Sequence, residues 1–255
     1  MTATTARTST RTTPMLFSRQ RQLLQLLDAL GGTSGMLDFQ KLLFLYCQEA
    51  STGEAPYDFV PYKFGAFSFT SYADRRKLIE RGLLEDEDGW QITAEGRKII
   101  GRTMDMQLAA FAKRHRGLHG DALVADTYRR FPFFATRSEI AERVLKGDDA
   151  ALARIKAVRA KATGPALSTI GYEGHTLESY LTVLLKSGVT ILCDVRRNPI
   201  SRKYGFSKNT LAYSTLLFAE NSDIEVSALN FDDRNYEDFV SMVTNEAKWA
   251  QKFVF

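Results

Sequence analysis

Residues 166–199, ALSTIGYEGHTLESYLTVLLKSGVTILCDVRRNP, decide the fold. Leu167-Ser168-Thr169-Ile170-Gly171-Tyr172 is short, apolar and β-branched, as a buried strand should be. Glu173-Gly174-His175 reads as a loop, and Thr176 as the cap of a helix over Leu177–Ser187. Leu177, Tyr180, Leu181, Leu184 and Leu185 fall on one face of that helix, and Gly188 ends it. Val189–Val195 is a second buried strand. Strand, helix, strand in that order imposes parallel pairing through a right-handed crossover. A third strand is expected at Ile224–Leu229 and a helix at Tyr236–Lys252. The C-terminal part therefore reads as a Rossmann-like α/β domain over 166–255.

In such a sheet, ligands bind beyond the carboxyl ends of the strands. That rule selects the loops Tyr172–His175 and Asp194–Pro199, the second followed by Ser201-Arg202-Lys203-Tyr204-Gly205-Phe206-Ser207-Lys208. Glu173 and Asp194 are the candidate catalytic carboxylates, one a general base and the other its orienting partner. The alternative is a solvated Glu173 and an Asp194 paired with Arg196 or Arg202. Arg196, Arg202, Lys203 and Lys208, with Ser201 and the ring of Tyr172, make a candidate nucleotide or single-strand site. Cations attract phosphates, and aromatic faces stack on bases.

Working towards the N-terminus, Thr163-Gly164-Pro165 breaks a basic helix or linker at Ala150–Ala162 and marks a domain boundary. Residues 102–165 read as a helical connector, with a helix over Ser138–Leu145. Residues 17–101 have the rhythm of a winged helix. Helices are expected at Ser18–Leu30, from about Asp38, and at Thr70–Arg81, with an edge strand at Tyr57–Lys63. A hairpin of Leu83-Leu84 and Trp90-Gln91-Ile92 follows, then a helix capped by Thr93. On the third helix, Arg75 and Arg76 are candidates for contacts to DNA bases or phosphates. The hairpin tip, Glu85-Asp86-Glu87-Asp88, would repel a phosphate backbone, which favours a protein partner for that face. Residues 1–16 read as a disordered tail.

Two sets of motifs carry resemblances. T-I-G-Y-E-G-H at 169–175, D-V-R-R-N-P at 194–199 and S-R-K-Y-G-F-S-K at 201–208 resemble the domain-of-unknown-function family 488 over about 166–215, and more weakly to 252. That resemblance implies a small α/β fold and work on nucleic acid, with no settled reaction. Members continue through another strand and a late Cys/His/Arg motif, so the sheet here is expected to be incomplete at Phe255. Gln40–Tyr46, Tyr62–Ser68 and Leu78–Leu84 resemble the winged-helix domains of bacterial regulators and antitoxins, with Ala66 where proline is usual.

Charge and composition bound the rest. The chain has 255 residues, 34 Lys+Arg and 30 Asp+Glu. Four of the basic residues, Arg7, Arg11, Arg19 and Arg21, precede the first acid, Asp28, which leaves 30 of each sign in the remainder. Net charge alone is therefore no argument for nucleic-acid binding. Two cysteines exclude a disulfide framework and fit a cytoplasmic protein with inert buried thiols. No apolar run is long enough to span a bilayer, and no membrane partner is expected. His115 and His119 stand four apart, but Gly117 and Gly120 argue against one helix, so both read as solvated. No metal or cofactor is expected. The sequence thus points to a nucleic-acid-associated protein, with DNA expected ahead of RNA. It would be a processing, repair or defence enzyme with a basic cleft in its C-terminal domain. The alternative is a non-catalytic winged-helix regulator or antitoxin-like protein-binding module.

Overall fold

The computed structural model describes residues 15–49, 54–101, 105–159, 166–189, 191–194, 200–219, 225–227 and 252–254. Helix α1 (Ser18–Ala29) buries Leu23, Leu24, Leu26 and Leu27 and stops at Gly31-Gly32. A short strand β1 (Thr33–Ser34) leads into α2 (Met36–Glu49), whose 39–47 stretch is buried throughout. Strands β2 (Val60–Tyr62) and β3 (Gly65–Phe67) form an antiparallel hairpin that feeds α3 (Phe69–Glu80). Strand β4 (Trp90–Gln91) pairs with β1, and Thr93 Oγ1 accepts from Gly96 N to cap α4 (Ala94–Ile100).

Gln40 and Lys41, near the start of α2, hold the β3–α3 junction. Gln40 accepts from Ser68 N at 3.1 Å and donates to Ser71 Oγ at 2.6 Å. Lys41 Nζ donates to Ala66 O at 2.9 Å. The register pairs Tyr62 with Gly65 across a two-residue loop and Pro61 with Ala66. That alternation puts Pro61 at a non-hydrogen-bonded site, where its missing N–H is harmless. It also turns the Ala66 carbonyl away from β2, towards Lys41. Gly65 is required here: its φ is +90°, and a Cβ would lie 2.5 Å from Tyr128 Cε1.

Helices α5 (Met106–His115), α6 (Gly120–Arg130), α7 (Ala141–Val144) and α8 (Asp149–Ala157) follow, with a 3-10 turn at Pro132–Ala135. The predicted helix over Ser138–Leu145 is only the four residues of α7. Ser138 Oγ still accepts from Ile140 N, and it also bonds the Tyr128 hydroxyl at 2.7 Å.

The C-terminal part contains β5 (Ala166–Ser168), α9 (Leu177–Lys186), β6 (Ile191–Cys193), α10 (Lys208–Ala219), β7 (Glu225–Ser227) and β8 (Lys252–Val254). These strands form one parallel sheet in the order β5-β8-β6-β7. Parallel pairing is as expected, but β5 and β6 are not neighbours because β8 lies between them. Lys252 is therefore a strand residue and not the end of a helix; the remainder of the expected 236–252 helix lies outside the described residues. Leu177, Tyr180, Leu181, Leu184 and Leu185, the five apolar residues of α9, are all buried. Their burial contributes on the order of 10 kcal/mol before conformational entropy is charged against it. Val60 belongs to the same apolar cluster, with Tyr62, Phe69 and Phe133 packed on it, so the β2–β3 hairpin completes the core around α9.

Three other expectations change. The 83–92 hairpin shrinks to one bridge, Leu84 to Ile92, and the other side of β4 is taken by β1. The edge strand expected at Tyr57–Lys63 gains an antiparallel partner, Gly65–Phe67, where no strand was expected. His115 is not solvated: it is buried at the end of α5, its Nε2 is 3.1 Å from Glu49 Oε2, and its ring lies against Phe111. Among the described residues no helix is long and apolar enough to cross a membrane.

Candidate functional site

The 201–208 loop and the turn after β5 pack on one another. Phe206 is fully buried, with Tyr172 stacked on it at 5.1 Å and Tyr180 edge-on at 5.3 Å. Lys203 Nζ donates to Tyr172 O at 3.1 Å and lies 5.5 Å from the centre of the Phe206 ring. Ser201 Oγ accepts from Lys203 N at 3.1 Å. Gly205 is the hinge of this loop. Its φ is +89°, and a Cβ there would come within 2.8 Å of the Leu177 side chain. The motif's glycine, phenylalanine and lysine therefore build the loop.

That geometry corrects part of the sequence reading. One face of Tyr172 is covered by Phe206, so the ring is a packing element before it is a base-stacking platform. The Lys203 ammonium is held inward, and Ser201 is engaged by the loop's own backbone. Arg202 is exposed, Lys208 begins α10, and Arg196 lies outside the described residues.

The two catalytic candidates both follow carboxyl ends of the parallel sheet. Glu173 is exposed in the turn after β5, and half-buried Asp194 comes directly after β6. Because β8 intervenes, the two strand ends stand roughly 10 Å apart at ordinary strand spacing. That is room for a ligand between them, and too far for the carboxylates to be read as a directly bonded pair from backbone position alone.

The third helix is placed unexpectedly. Glu178, in the first turn of α9, is fully buried. Its carboxylate accepts from Ser68 Oγ at 3.1 Å, Thr70 N at 2.7 Å and Thr70 Oγ1 at 3.0 Å. Burial raises its pKa, and these donors partly oppose the shift. The start of α3, where a DNA-reading helix would meet base edges, is thus sealed by α9. Further along, Arg75 donates to Gly89 O and Glu87 O and lies over Trp90. Its guanidinium folds the acidic 85–88 turn and is not free for bases. Asp74 is buried under Arg19, Gln20 and Tyr57, which anchors α3 to α1.

Arg76 is different. It is exposed on α3, and its positive charge lies close enough to the half-exposed Tyr204 to oppose in part the rise that burial gives that phenol's pKa. The outer side of α3 and the 201–208 loop both adjoin the first turn of α9, where Gly205 packs on Leu177 and Ser68 and Thr70 hold Glu178. Arg76, Lys77, Arg202 and Tyr204 are exposed side chains of these two joined elements. Ile200, at the loop's entrance, is 80% exposed.

Residues 176–243 match the domain of unknown function DUF488. The match takes in the second and third C-terminal motifs and begins just after T-I-G-Y-E-G-H. No curated protein and no solved structure matches the chain.

Glu178 and Tyr204 were missing from the sequence-derived set. Glu178 had a signal: it stands three and seven residues before Leu181 and Leu185, a carboxylate inside an apolar stripe. Tyr204 was visible among the basic residues, but its partner on α3 was not. Elsewhere, a cavity of about 360 Å³ lies between the end of α1, the start of α2 and the α5–α6 loop, with Asp38, His115 and His119 on its wall. Among the described residues no three His, Cys, Asp or Glu side chains gather as a metal site requires.

Proposed function

We propose that this protein binds nucleic acid through a composite basic face, made by the outer side of α3 and the 201–208 loop. In this reading residues 17–101 are a winged-helix unit, 102–165 a helical connector and 166–255 a Rossmann-like domain. The observation that carries it is the shared seat of both elements on the first turn of α9, Gly205 against Leu177 and Thr70 on Glu178, because it brings together two basic elements far apart in sequence. Exposed arginines supply phosphate attraction and bidentate geometry. Arg202 and Arg76 take the positioning role in place of Arg75 and Lys203. Catalysis, if the face serves an enzyme, falls to Glu173 and Asp194 at the neighbouring sheet edge.

The exposed acids Glu85–Asp88 favour a second reading, in which this turn engages a basic protein partner and the chain acts as a regulator. Photocrosslinking separates the two. A bromodeoxyuridine-substituted oligonucleotide irradiated with the full chain should label peptides containing both 69–80 and 201–208. Labelling of neither segment would refute the nucleic-acid face and leave the protein-partner reading.

A further inference from the structure

We infer that the composite face takes single-stranded nucleic acid and discriminates against duplex; this rests on the nucleic-acid reading above and specifies its substrate class. Three independent features work against a duplex on α3. The first turn of the helix is committed to Glu178: Thr70 N, Thr70 Oγ1 and Ser68 Oγ all donate to that carboxylate, and Ser71 is buried. A major-groove helix needs that turn for base edges. Arg75, the next residue along that could reach a groove, has its guanidinium bound to the carbonyls of Glu87 and Gly89. Beside it stand Glu85, Asp86, Glu87 and Asp88, all exposed, where a duplex would bring its second strand's phosphates.

What stays open suits a flexible strand. Arg76 and Lys77 on α3 and Arg202 on the loop are exposed cations. Tyr204, 44% exposed on the same loop as Arg202, has the Arg76 charge near its hydroxyl. A half-exposed phenol among cations is a stacking platform, and stacking tolerates any base. Ile200 adds exposed apolar surface on the same loop. Bases can reach such a platform only when they are unpaired.

The test is fluorescence anisotropy on the full chain with two probes, a 20-nucleotide oligothymidylate and a 20-base-pair duplex, at 50 and 150 mM salt. The single strand should bind at least tenfold tighter. Tyr204→Ala should weaken single-strand binding about tenfold, whereas Tyr204→Phe, which keeps the ring and loses only the hydroxyl, should stay within about threefold of wild type. Equal or tighter duplex binding, or equal losses in the Ala and Phe variants, overturns this inference while leaving nucleic-acid binding standing. No salt-dependent binding of either probe overturns the underlying reading as well.

Discussion

Replacing Lys41 by methionine should remove a pH-dependent cost from the fold. Lys41 is almost wholly buried in α2, donates to Ala66 O, and has its pKa lowered by burial to about 7. An unfolded lysine titrates near 10.4. The folded pKa lies below the unfolded one, so the unfolded chain binds more protons between these values, and stability rises with pH across that window. At pH 7 the gap costs about 4 kcal/mol, and at pH 9 about 2 kcal/mol, since each pH unit is worth about 1.4 kcal/mol. Lys41→Met keeps the aliphatic length but leaves the Ala66 carbonyl without this donor, a penalty of about 1–3 kcal/mol that does not vary with pH. The slope is therefore informative whatever the offset. Urea unfolding at pH 7, 8 and 9 should show the stability difference, wild type minus variant, growing in favour of wild type by about 2 kcal/mol. A difference flat across that range would refute the argument, because it would mean the native lysine is charged as readily as the unfolded one.

Two further outcomes follow from what packs on the first turn of α9, the start of α3 and the 201–208 loop. Glu178 has a raised pKa in the fold, so its contribution is present below the ordinary glutamate range and is lost as pH rises through the folded value. Urea midpoints from pH 4 to 7 should therefore fall for wild type relative to Glu178→Gln, and parallel curves would contradict the buried carboxylate. Gly205→Ala forces a positive φ and a clash with Leu177, and should cost roughly 2–4 kcal/mol in thermal or urea unfolding; a change under 0.5 kcal/mol would show that the loop is not packed as described.

The local periodicities were readable. The five apolar residues of α9, the Thr176 and Thr93 caps and the parallel strands all follow from patterns within one segment, where a single period or cap decides the outcome. What was not legible depends on partners distant in sequence. Strand β8 enters the centre of the sheet from residues 252–254, and nothing near Lys252 distinguishes its strand from a helix end. Helix α10 was hidden because its start, Lys208-Asn209-Thr210, is polar and its buried face includes Ser214 and Thr215. The site was half legible for the same reason. Basic and aromatic residues at 201–208 were conspicuous, but which of them face inward is set by Phe206 and Tyr172 packing. Arg75 and Arg76 are adjacent and chemically identical, yet one folds the acidic turn and the other meets Tyr204.

The claim that Arg76 and Arg202 belong to one binding face is tested most directly by the salt dependence of oligothymidylate affinity. Each phosphate neutralised on a single strand contributes roughly 0.7 to the slope of log K against log salt. Arg76→Ala and Arg202→Ala should each lower that slope by about this amount, and the double variant by about 1.4. A slope unchanged by either substitution would contradict the composite face.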